Sequence, residues 1–338
     1  GEVAFRKREG GISLLQTDAQ RRKYIQMTES PVEPLICKMA VPTIISMLIT
    51  SIYNMADTFF VGRLGTSATG AVGVVFPLMA LIQAVGFFFG QGSGNYISRQ
   101  LGAQHREEAE RMAATGFFSA LCAGCVIMIL GLLLRHPLAH LLGATDTILP
   151  YALDYMCIIL IGAPYMTASL VLNNQLRLQG NAVYAMIGLV SGGVLNMALD
   201  PLFIFTFGMG IRGAALATIL SQLVGFCLLL TGVYVSGGIR IRLCLFSPSP
   251  ARYADLARGG IPSLCRQGLA SVAVTCLNTA ARPYGDAAIA AMSIVSRVSQ
   301  FAGRLLSDVS SAGANVLSGD RAAWSHTSVH SSPGHPDA

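Results

Sequence analysis

Long apolar runs separated by short polar turns set the pattern of this chain. A helix needs about 20 largely apolar residues to cross a lipid bilayer. Eight runs reach that length: residues 36–60, 69–97, 112–134, 149–173, 182–207, 212–236, 256–281 and 286–306. Arg297 and Arg304 interrupt the last of them. Between the runs stand Gly62 and Gly65, Gly102, His136-Pro137, Gly180-Asn181, Gly208 to Gly210 and Ser247-Pro248-Ser249-Pro250, residues that end helices or make turns. The longest polar connection, 237–255, contains that Ser/Pro run and divides the runs into two groups. The pattern predicts an all-α integral membrane protein, with a six-helix bundle over 33–236 and an incomplete second bundle of about two helices over 256–306.

The flanks do not share the pattern. Residues 1–32 are polar and basic, without periodicity. Met27 makes a more natural start than Gly1, so the first 26 residues are expected to be upstream read-through or foreign sequence. No signal peptide precedes the first apolar run, which is itself too long to be the core of one. Residues 307–338 are rich in Ser, Gly, Ala and His and cannot bury a core, so they are expected to be a disordered tail.

Composition supports the membrane reading. The chain is 53% hydrophobic and 12% charged, with a mean hydropathy of +0.57, whereas a soluble domain carries about 25% charged residues. Such a chain cannot cover itself with polar groups, so lipid is its expected surroundings. The net charge of +6 would suit nucleic acid. The basic residues, however, stand between apolar runs and not on one face, so no nucleic-acid partner is expected. Eight cysteines lie mostly inside apolar runs, and Cys122 and Cys125 fall in mid-helix, where they read as small packing residues and not as a redox or zinc pair.

The basic residues also orient the helices. The segment before the first run and every second loop after it hold Arg6, Lys7, Arg8, Arg21, Arg22, Lys23, Lys38, Arg99, Arg106, Arg111, Arg177, Arg240, Arg242, Arg252 and Arg258. The alternate loops hold Arg63, Arg135, Arg212 and Arg282. By the positive-inside rule the amino terminus and the 237–255 linker are expected on the cytoplasmic side.

A weak repeat joins the two groups. A shift of 220 residues lays Ala40-Val41-Pro42 on Gly260-Ile261-Pro262, Gly65 on Gly285, Ala68 on Ala288, Ala71 on Ala291 and Val75 on Val295. Repeated bundles around a central site are a common plan for transporters.

Charged groups inside a span cost roughly 2.5–3.5 kcal/mol on insertion scales, so the few present are informative. Asp57 lies near the end of the first run, and Asp200 inside the fifth. Asn196 stands one helical turn before Asp200, on the same face. Pro201 follows and frees a backbone carbonyl about one turn earlier. An amide, a carbonyl and carboxylates make an oxygen-rich pocket that suits a proton or a hard cation such as Na⁺. Thr218 and Tyr155, both in apolar surroundings, would add hydroxyls. Asp154 reads as interfacial, Arg266 as a charge of unassigned partner, and Gln83 and Asn278 as cavity-lining residues. The glycine-rich Gly90-Gln91-Gly92-Ser93-Gly94 lies in an apolar helix, so it points to close helix packing and not to a phosphate loop. No metalloprotease, serine-hydrolase or Walker motif is present, so the sequence predicts no enzyme and no cofactor beyond a coupling ion.

Several of these residues form a pattern. Asn54-Met55-Ala56-Asp57-Thr58-Phe59-Phe60-Val61-Gly62-Arg63-Leu64-Gly65 resembles the end of the first helix in the multidrug and toxic compound extrusion (MATE) family. Gly90 to Asn95 with Ile97 to Ala103 resembles that family's second helix, and Arg177-Leu178-Gln179-Gly180-Asn181 the turn after its fourth. Asn196 with Asp200-Pro201, then Gly208 to Thr218, is similar to its helices five and six. The match runs in order over about 33–302, and the prokaryotic DinF-like branch fits it best.

The resemblance implies an antiporter of two six-helix bundles that exchanges H⁺ or Na⁺ for cationic or amphipathic drugs across the plasma membrane. It implies an ion site at Asp57, Asn196 and Asp200, with Tyr155 and Thr218 around it. It also implies a rocker-switch cycle in which the first helix, bent near Pro42, moves. A member of the family has twelve helices, and the familiar continuation is absent here after about Phe301, so the chain reads as a truncated form. Two alternatives stay open: a flippase for lipid-linked oligosaccharides from the same superfamily, and a membrane remnant that transports nothing.

Overall fold

The structure, a computed structural model, describes residues 32–103, 105–236, 239, 241–296 and 298–299. The expectations for residues 1–31 and 307–338, and for most of the eighth run beyond Ser296, lie outside the described residues. Among the described residues every regular element is helical: α1 (Val32–Gly62), α2 (Thr66–Gly102), α3 (Arg106–Leu133), α4 (Arg135–Leu141), α5 (Leu149–Leu178), α6 (Ala182–Pro201), α7 (Ile211–Val235), α8 (Pro250–Ala281) and α9 (Asp286–Ser296). In hydrocarbon every backbone N–H and C=O must be satisfied within the chain, and a helix does this with its own bonds. Five helices among the described residues are long and apolar enough to cross a membrane: Thr66–Gly102, Arg106–Leu133, Leu149–Leu178, Ala182–Thr206 and Ile211–Val235. Helices α1 and α8, of 31 and 32 residues, also have the length. The chain is an integral membrane protein.

The helices overrun the apolar runs at their charged ends. Helix α2 continues through Arg99 to Gly102, and α5 through Arg177 to Leu178. Helix α8 begins at Pro250, inside the stretch read as linker, and includes Arg252, Asp255 and Arg258. Charged side chains are tolerated there because they reach the interface while the backbone keeps its helical bonds. At His136-Pro137 the sequence pattern gives only a break, and the structure has the short helix α4. Pro137 stands in its first turn, where a missing N–H costs nothing.

Helix α5 is the central post, packed against α2, α3, α6 and α7. Its polar side chains clasp all four. Gln175 Nε2 donates to Ser93 Oγ on α2 (3.0 Å) and to the Ala113 carbonyl on α3 (3.2 Å). The Thr167 hydroxyl reaches the Ala120 carbonyl on α3 at 3.0 Å. Asn173 Nδ2 donates to the Ala185 carbonyl on α6 (3.0 Å), and the Tyr165 hydroxyl to the Ile219 carbonyl on α7 (2.9 Å). Two apolar clusters fill the remaining space. One gathers Val75, Ile82, Ile148, Met156 and Ile211 toward one end, the other Ile97, Met112, Leu172, Leu229 and Leu256 toward the opposite end.

Helix α8 lies along α2. The glycine run at 90–94 makes this possible. A side chain at Gly92 would overlap the Leu256 carbonyl oxygen of α8, while one at Gly90 would crowd Asn174 and Leu170 of α5. Small residues let helix backbones approach where lipid supplies no hydrophobic drive. The repeat also has a structural counterpart. Gly65 (φ 116°) ends the turn between α1 and α2, and Gly285 (φ 86°) ends the turn between α8 and α9, both in a backbone region that favours glycine.

Gly92→Ala is expected to push α8 off α2, with an overpacking cost of about 1–3 kcal/mol. Thermal unfolding in detergent should show a lowered midpoint for Gly92→Ala and an unchanged one for Gly102→Ala, where nothing lies within 4 Å of the added methyl.

Candidate functional site

Helix α6 carries the first two members. Asn196 and Asp200 stand one turn apart and face the same way, with relative exposures of 2% and 0%. Asn196 Nδ2 donates to Asp200 Oδ1 at 3.4 Å. Pro201 cannot supply the N–H that the α-helical ladder needs, and the chain changes pitch at once into a π-helical turn, Leu202–Thr206. The Phe207 N–H then reaches back to the Leu202 carbonyl at 3.0 Å. Asp200 thus stands at a break in the regular backbone, a common setting for ion sites in membrane helices.

Helix α1 packs along α6 and brings Asp57. Gly193 allows the contact, since a side chain there would press on the Tyr53 ring and Ile49. Asp57, one turn beyond Tyr53, is 6% exposed, and its charge acts on Asp200. Among the described residues no ion pair includes Asp200. Asp200 Oδ2 and Asn196 Oδ1 are buried without a hydrogen-bond donor among the described residues. Buried polar atoms rarely stay unsatisfied, because leaving one so costs about 1–3 kcal/mol. Two such oxygens beside a second carboxylate fit a proton or a hard, oxygen-seeking cation.

A cavity of about 30 Å³ opens beside Asn196, with Tyr53, Ser169, Thr218, Ser221 and Gln222 on its wall. That volume holds two or so waters, since one needs about 10–15 Å³. Thr218 therefore joins Asn196, and its hydroxyl donates to the Ala214 carbonyl of its own helix (3.0 Å). Tyr155 is buried on α5 with its hydroxyl facing the Met79 sulfur at 4.0 Å; like Asp57 and Asp200, it is not on the wall of this cavity. Pro42 is buried inside α1, which runs as one helix through it.

The sequence reading missed Tyr53, Ser169, Ser221 and Gln222. Spacing could have found two of them, because Tyr53 is one turn from Asp57 and Ser221 nearly one turn from Thr218. It also missed a ladder on α1. Ser46, Thr50, Asn54 and Thr58 each donate to the carbonyl four residues earlier, at 2.7, 2.7, 2.8 and 2.7 Å. Such back-bonding competes with the helical ladder and favours bending. Asp154 pairs with Arg212 at 2.9 Å on an exposed edge, in keeping with an interfacial place. Asn278 is buried and ties α8 to the Gly73 carbonyl of α2 (3.0 Å).

The family model described as MatE matches residues 42–202, which hold Asp57, Asn196 and Asp200. The multidrug export protein MepA of Staphylococcus saprophyticus is 30% identical over 264 residues, 78% of this chain and 58% of that protein. The chain therefore spans somewhat more than half the length of this curated relative. A MOP superfamily transporter from Pyrococcus furiosus, whose reversed pocket polarity suggests a different function for it, superposes with a TM-score of 0.76 at 31% identity. That match covers 87% of this chain and 66% of the other. A MATE structure in complex with MaD5 gives a TM-score of 0.75 at 31% identity, over 87% of this chain and 68% of the other.

Asn196→Leu is expected to cost about 1–3 kcal/mol, because it strands Asp200 Oδ1 in the interior. The double variant Asn196→Leu/Asp200→Leu should recover most of the loss. Chemical unfolding of the three variants in mixed micelles measures the coupling.

Proposed function

The chain belongs to the MATE (multidrug and toxic compound extrusion) family of membrane transporters, and on that premise we propose that it works by ion-coupled antiport. The members of this family are transporters, not enzymes. The substrates proposed are cationic or amphipathic drugs, exported in exchange for H⁺ or Na⁺. The multidrug export relative supports drugs over a lipid-linked oligosaccharide.

The observation that carries the reading is the trio on α1 and α6: a buried Asn196–Asp200 pair, two oxygens without a donor among the described residues, and the Asp57 charge beside them. Two carboxylates that act on each other repel when both are ionised. A proton or Na⁺ relieves the repulsion and satisfies the idle oxygens together. Its arrival changes what α1 and α6 prefer to do, which is the requirement for coupling an ion to a conformational step. Helix α1 suits the moving role, because Pro42 and the Ser46–Thr58 ladder weaken its regular bonding. Asn196 would hold the ion with Asp57 and Asp200, and Thr218 and Ser221 would complete its surroundings from the cavity wall. Tyr155 would act from the apolar cluster that also holds Val61, one turn from Asp57, and Ile204, one turn from Asp200.

The proposed setting is the plasma membrane with the amino terminus cytoplasmic. Arg99, Arg106, Arg111, Arg177, Arg252 and Arg258 fall at helix ends that gather on one side: Arg252 bonds Glu108 there, and the Ile239 N–H bonds Gln179 Oε1. That asymmetry supports the orientation.

Expressed in a pump-deficient bacterial host, the chain is expected to speed the exit of a fluorescent organic cation and to lose most of that effect as Asp57→Asn or Asp200→Asn. No faster exit with the unaltered chain would contradict transport by it. Equal exit with both variants would contradict the ion site.

A further inference from the structure

At the end of the bundle where α1 finishes, one carboxylate joins the α8–α9 hairpin to the first six helices. Asp286 is the first residue of α9, directly after the Gly285 turn. Its carboxylate accepts from three hydroxyls. Thr145 Oγ1 donates at 2.7 Å and Ser67 Oγ at 3.3 Å, and Thr147 Oγ1 donates to the same oxygen as Ser67. Ser67 belongs to the first turn of α2, and Thr145 and Thr147 to the turn leading into α5. Residues 219 and 141 positions apart in the chain are thus held on one group.

The opposite end is fastened differently. Arg252 Nη2 pairs with Glu108 at 3.2 Å, while its Nη1 donates to the Ser247 carbonyl (2.9 Å) and hydroxyl (2.7 Å). Tyr253 and Ser119 share a hydrogen bond of 2.8 Å. The Arg252 side chain is only 15% exposed and that of Glu108 is 41% exposed, so this fastening is charged and its guanidinium is shielded. The Asp286 fastening is built from neutral hydroxyls, with Thr147 exposed and Thr145 and Asp286 half-buried. Water can supply the same donors to an accessible carboxylate, so this clasp can part without leaving a charge unsatisfied. Parting the other end separates a shielded guanidinium from its carboxylate, which is the harder change.

We propose that Asp286, with Ser67, Thr145 and Thr147, is the releasable clasp of an outer gate, and that the Arg252–Glu108 end stays shut while it opens. This rests on the transport reading above and names the side from which the ion enters. Asp57 and Asp200 stand near the carboxyl ends of α1 and α6 and Ser67 at the amino end of α2, which follows α1 after a short turn, so the clasp and the candidate ion site share one side of the bundle. Between the two fastenings α2 meets the hairpin through close glycine contacts, Gly73 against Ser293 and Gly92 against Leu256, and through hydrogen bonds from Ser271 and Asn278 to the Pro77 and Gly73 carbonyls.

Hydrogen–deuterium exchange on the full chain in lipid nanodiscs tests this without any transport measurement. Asp286→Ala is expected to raise backbone exchange several-fold in the segments 142–149 and 282–289 and to leave 108–119 and 247–256 unchanged. Ser67→Ala/Thr147→Val, which keeps the carboxylate and the Thr145 bond to the Ile148 N–H, should move the same segments in the same direction by less. It carries the test if Asp286→Ala lowers the thermal midpoint. Unchanged exchange at 142–149 and 282–289 in this folded variant overturns the clasp, as does an equal rise at both ends. A chain that exports nothing yet shows the one-sided rise would sink the transport reading and leave the clasp standing.

Discussion

A carboxylate shut away from water is the constraint around which this molecule is arranged. Asp200 has no exposed surface, and among the described residues it has no ion pair and one of its oxygens has no donor. A bare charge in such a place would cost far more than the net stability of a folded chain. The structure meets the cost in part. Asn196 donates from one turn away, while Asp57 brings a second carboxylate from α1 that adds to the cost when both are ionised. What is left over would be met by a proton or a cation, the premise of the proposed ion coupling.

The rest of the bundle keeps this arrangement in register. Helix α5 carries Thr167, Asn173, Asn174 and Gln175 through the middle of the molecule, where no solvent can satisfy them. Their bonds to α2, α3 and α6 fix the positions of those helices, and Tyr165 does the same for α7. Glycines set the spacing: Gly124 on α3 makes room for Thr167, and Gly193 on α6 for Tyr53. Among the described residues helix α1 packs chiefly on α6, and four of its side chains bond its own carbonyls.

The helices and the Asn196–Asp200 pair were legible in the sequence because both depend on spacing within one segment. Apolar run length marks a span, and a four-residue interval marks a shared face. The role of Gly90 to Gly94 was legible for the same reason. Helix α4 was not, because a proline suits a first helical turn as well as a break. The π-helical turn after Pro201 was foreshadowed only as a freed carbonyl. The Met79 sulfur beside the Tyr155 hydroxyl was not legible, since the two stand on different helices. The Asp286 clasp lay beyond reach, since its three donors come from two distant segments that only the packing of α8 and α9 against α2 brings together.

The central claim is that the Asp57–Asn196–Asp200 group takes up a cation. Infrared difference spectroscopy of the reconstituted chain, scanned over pH and then over NaCl, reads this directly. The account predicts a protonated-carboxyl band that disappears when Na⁺ or high pH displaces the proton, and that is missing from Asp200→Asn. Identical difference spectra for the unaltered chain and Asp200→Asn would contradict it.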